Sequence, residues 1–63
     1  MKWSELKRKL KKGGYVFLRD AKGSHEYWHH PEKKGSEIVI ASHDAKEVGT
    51  GLANKILKQA GLK

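Results

Sequence analysis

Sixty-three residues support one domain, 1–63, and a chain this short buries only about 60% of the surface it exposes when unfolded, so its core is small. It has no cysteine, which excludes a disulfide framework and a thiolate zinc site. Fourteen Lys and Arg against seven Asp and Glu leave a formal charge of +7, for which a polyanion, above all a nucleic acid, is the natural partner.

The opening "KWSELKRKLKKGG" predicts a helix, because Trp3, Leu6 and Leu10 fall at i, i+3 and i+7 on one stripe. Ser4 is expected as its N-cap, Glu5 suits the positive end of its dipole, and Gly13 is expected to stop it in the left-handed conformation. Lys7, Arg8 and Lys11 make the other face basic. No apolar run follows, so this is not a signal peptide, and no stretch approaches the roughly 20 apolar residues that cross a bilayer. A soluble protein of the cytoplasm is expected.

"YVFLR", residues 15–19, reads as a strand with Val16 and Leu18 on one face and Tyr15 and Phe17 on the other. "DAKG" is a turn, and "SHEYWHH" a second strand that alternates His25, Tyr27 and His29 against Glu26, Trp28 and His30. Pro31 cannot donate to a ladder and should end it. After the polar turn "EKKGSE", residues 38–41 form a short third strand, and such tight connections require an antiparallel meander. "SHDAKEVGTG" is a loop. Thr50 is expected to cap a last helix with Leu52, Ala53, Ile56, Leu57 and Ala60 on its apolar face, ended by Gly61 with Leu62 folded back. The fold class is α+β, in the order α-β-β-β-α, with both helices on one face of a three-stranded antiparallel sheet. Trp3 and Trp28 belong to the core.

Three histidines crowd into "AKGSHEYWHHP". His29 and His30 are strand neighbours and point to opposite faces, so they cannot grip one ion in regular geometry. His25 and His29 share a face but lie about 13 Å apart at the strand rise, too far for one metal. No metal site is expected. His25 begins a strand at the mouth of a turn, where an imidazole can transfer protons near neutrality. Backbone N–H groups of Gly23 and Ser24, with Lys22 nearby, can hold a phosphate, and Tyr27 can stack on an unpaired base. Lys7, Arg8 and Lys11 can meet further phosphates. These residues alone leave three readings open: a ribonuclease, a non-catalytic RNA-binding module of the same fold, and a basic domain that docks an acidic protein.

Gly23-Ser24-His25 opening the second strand, His30-Pro31 closing it, His43 after the third and "GTGLANKILKQAG" in the last helix together resemble the HicA toxin family. Val48 stands where that family often has a proline, and Gly51 separates Thr50 from Leu52, so the start of the last helix departs from the pattern. The resemblance implies a fold like the double-stranded-RNA-binding domain and an mRNA interferase, with His25 catalytic. It also implies that mRNA is the substrate, that cleavage needs no metal or other cofactor, and that a HicB-like antitoxin covers the site.

Overall fold

The computed structural model describes residues 1–62. Its order is α1 (Trp3–Lys12), β1 (Val16–Asp20), β2 (His25–His29), β3 (Ile38–Ala41) and α2 (Thr50–Gln59). The strands form one antiparallel sheet in the order β1-β2-β3, so β2 is central. This is the expected α-β-β-β-α arrangement, consistent with a fold like the double-stranded-RNA-binding domain. Among the described residues, no helix is long and apolar enough to cross a membrane.

Register decides which face is covered. Trp28 lies opposite Ile38 and Glu26 opposite Ile40, and Trp28, Ile38 and Ile40 are buried. They meet Trp3, Leu6 and Leu10 from α1 and Ala53, Ile56 and Leu57 from α2 in one core, which Tyr15, Val48 and Ala60 complete. Both helices therefore cover the same face. The other face carries His25, Tyr27 and His29 beside Val39, which is 50% exposed.

Strand β1 departs from strict alternation. Val16 pairs with His29 and Phe17 with Trp28, but a bulge at Leu18 brings Arg19 opposite Tyr27. Val16 and Leu18 are thus not equivalent positions, and the extra residue turns Arg19 onto the open face.

The helix ends differ from expectation in an instructive way. The N-cap of α1 is Lys2, and Ser4 is already helical. The Trp3 and Ser4 N–H groups instead donate to the carbonyls of Lys46 and Asp44, at 3.0 and 3.1 Å, so the 44–46 loop caps the helix. At the other end Gly13 keeps φ −83°, and Gly14 takes the left-handed conformation at φ 94°. Gly14 N–H donates to Lys11 O and Tyr15 N–H to Leu10 O, a Schellman motif one residue later than Gly13 alone would give. Helix α2 ends the same way: Gly61 has φ 74°, and Leu62 N–H donates to Leu57 O at 2.9 Å. Its N-cap is Gly49, with Thr50 as the first helical residue. Leu52 is 48% exposed because it lies about a quarter turn from the centre of the stripe made by Ala53, Ile56, Leu57 and Ala60.

Candidate active site

Strand β1 returns as β2 through residues 21–24. Ala21 N–H donates to His25 O at 2.9 Å, and Gly23 takes φ 71°, a conformation that costs glycine little because it has no Cβ. His25 pairs with Ala41, and the ladder runs one step further through Ser42 N–H to Ser24 O, at 2.8 Å. His25 is therefore exposed at the head of the central strand, where its own carbonyl is bonded toward β1 and that of Ser24 toward the residue after β3.

Its ring makes one hydrogen-bonding contact, Nδ1 to the Lys22 carbonyl at 3.3 Å. A carbonyl only accepts, so this contact selects the tautomer with the proton on Nδ1 and leaves the Nε2 lone pair available as a base. Lys22, Gly23 and Ser24 are exposed beside it. Tyr27 lies two residues along on the same face, and the Arg19 guanidinium sits over its ring, 4.4 Å from the centroid. Arg19 is a candidate that strand periodicity passed over, because only the bulge puts it there.

The basic residues of α1 lie behind the sheet and differ among themselves. Lys7 is 13% exposed and bridges two carboxylates, Glu26 at 3.3 Å and Asp44. Burial pulls its pKa down, but the hydrogen bonds to Asp44 and Glu26 outweigh that and raise it above the ordinary lysine value. Lys7 is thus a charged clamp at neutral pH. Glu26 also accepts the Trp28 Nε1–H at 2.9 Å. Arg8 and Lys11 are exposed, and Lys11 Nζ lies 5.7 Å from the Trp28 ring centroid. Ser4, Lys7, Arg8, Lys11 and Asp44 line one shallow groove.

The structure thus brings Lys22, Gly23, Ser24, His25 and Tyr27 together on the open face. It places Lys7, Arg8 and Lys11 on the helix side, joined to that end of β2 through Glu26. His30 is packed edge-on against Tyr15, with centroids 5.5 Å apart. Among the described residues, no three His, Cys, Asp or Glu side chains cluster as a metal site.

A family model described as HicA toxin of bacterial toxin-antitoxin matches residues 3–62. The chain belongs to the HicA toxin family. It is 44% identical to a protein named "Probable mRNA interferase HicA" from Pseudomonas fluorescens (strain Pf0-1), over all of this chain and 98% of that relative. No solved structure matches. As a HicA family member the chain is a toxin of the toxin–antitoxin kind.

Proposed function

We propose that this chain is an mRNA interferase, a ribonuclease toxin that cleaves mRNA in the cytoplasm and so inhibits translation and growth, without a metal or other cofactor. The observation that carries the reading is the exposed His25 imidazole, with Nδ1 engaged by a carbonyl and Nε2 free, at the head of the central strand. In this reading His25 is the general acid or base at the scissile phosphodiester. The Gly23 and Ser24 backbone and Lys22 hold the phosphate, and Tyr27 with Arg19 offers a surface on which an unpaired base stacks. Arg8 and Lys11 extend the positive surface, while Lys7, its charge matched by two carboxylates, holds sheet and loop together. A HicB-like antitoxin neutralises the toxin by covering His25.

The test is cleavage of a labelled RNA by purified protein. His25→Ala should lose about 100-fold to 10,000-fold in rate, keep its circular dichroism spectrum and no longer inhibit growth when expressed. A folded His25→Ala protein with full cleavage would overturn the reading. EDTA should leave the wild-type rate unchanged; loss of activity restored by one metal would refute the metal-free mechanism.

A further inference from the structure

The loop after β3 is bound more firmly than an exposed connection requires. Ser42 N–H reaches Ser24 O before it, Lys46 N–H donates to His43 O within it, and the carbonyls of Asp44 and Lys46 cap α1. The Asp44 carboxylate is held by Lys7, whose ammonium also holds Glu26. Glu26 directly follows His25, and Asp44 directly follows His43. One lysine therefore fixes the chain positions next to two exposed histidines that are distant in sequence.

Register places the chain positions of those histidines near one another. His25 pairs with Ala41 and Ser42 N–H still donates to Ser24 O, so His43 is the residue next after the last bond between the two strands. The two strands run about 4.8 Å apart, so side chains from these two positions can reach opposite sides of one phosphodiester. The carboxylates at this end are engaged elsewhere or lie off the open face, and Lys22 is assigned to the phosphate. Glu26 takes Trp28 Nε1–H and Lys7, Asp44 takes Lys7, and Asp20 lies opposite Glu26 in the ladder rather than opposite the open-face residues.

We propose that His43 is the second proton-transfer residue of the site, acting as the acid to the base His25; this rests on the reading of His25 as catalytic. His25 Nε2 takes the proton of the ribose 2′-hydroxyl as the 2′-oxygen bonds to phosphorus. The bond from phosphorus to the 5′-oxygen breaks, and protonated His43 gives its proton to that leaving oxygen. The products are a 2′,3′-cyclic phosphate and a 5′-hydroxyl. One proton has moved from His43 to His25, and solvent restores both. The Lys7 clamp sets the separation of the pair.

Two substrates test this: a labelled RNA, whose 5′-oxygen must be protonated to leave, and uridine 3′-(4-nitrophenyl phosphate), whose nitrophenolate leaves without a proton. His43→Ala and His43→Gln should each slow RNA cleavage about 100-fold or more, yet stay within a few-fold of wild type on the nitrophenyl ester. His25→Ala should fail on both. Equal losses on the two substrates in the His43 variants, or RNA cleavage within about twofold of wild type, would overturn the acid role. A fully active His25→Ala protein would instead sink the reading of His25 itself, so the two failures are distinguishable. The 2′,3′-cyclic end is checked by its resistance to direct 3′-end ligation.

Discussion

At the head of β2, His25 is exposed, its ring touches one carbonyl through Nδ1, and Nε2 is left for chemistry. Just past the foot of the same strand, His30 is used up by the fold. Its Nδ1 accepts the Glu32 N–H at 3.2 Å, which requires the opposite tautomer, and its backbone N–H donates to Ser36 Oγ at 2.9 Å. Tyr15 lies edge-on to its ring, and Gly14 is so close that a Cβ there would come within 2.5 Å of Nε2. Two histidines in one short stretch thus both engage Nδ1, His25 as donor and His30 as acceptor, and differ in exposure, His25 being open to solvent and His30 half-buried. That difference, rather than residue type, separates a reactive imidazole from a structural one.

The contrast can be broken in order of expected effect. His25→Ala should remove about 100-fold to 10,000-fold of cleavage and shift stability by no more than about 0.5 kcal/mol, measured by RNA turnover and thermal melting of the same preparation. Gly14→Ala forces a side chain into φ 94° and onto the His30 ring, and should cost about 1–3 kcal/mol. At about 4–8 °C per kcal/mol for a domain of this size, the melting temperature reports it directly. His30→Ala loses the acceptor for Glu32 and the Tyr15 contact, about 1–2 kcal/mol, with cleavage by the folded protein retained. Combined with Gly14→Ala it should cost less than the sum, because the clash vanishes while the backbone strain stays. Loss of cleavage in a folded His30→Ala protein would erase the distinction between the two ends.

The smallest effect comes from Lys7. Its folded pKa is raised, so its contribution is fully present below the unfolded lysine value of about 10.4 and fades as pH climbs through the higher folded value. Lys7→Met should therefore melt below wild type from neutral to mildly alkaline pH, and the gap should close at strongly alkaline pH. A gap that stays constant across that range would deny the ammonium its role as the clamp.

Much of this was legible in the residues. Trp3, Leu6 and Leu10 share a stripe because a helix repeats every 3.6 residues, and residues 38–41 alternate because a strand repeats every two. Both Schellman ends were readable as glycines after apolar periodic runs, though two adjacent glycines concealed which one turns left-handed. The caps at the helix N-termini were not readable. Lys2 has no capping side chain, and the carbonyls that serve α1 come from residues 44–46, at the far end of the sheet. The bulge at Leu18 was equally hidden, since "YVFLR" alternates as well as any regular strand.

For the site, the sequence by itself determined the turn, the parity that puts His25 and Tyr27 on one face and Trp28 on the other, and the excess of positive charge. These follow from local sterics and from composition, which need no partner to act. Only the tertiary structure decided that Lys7 is a clamp rather than a free cation, that Arg19 covers Tyr27, and that Glu26 and Asp44, the residues after His25 and His43, are tied to one ammonium. Each of those depends on strand register and on how α1 crosses the sheet. Both are set by how the small core packs, through contacts between residues far apart in the chain.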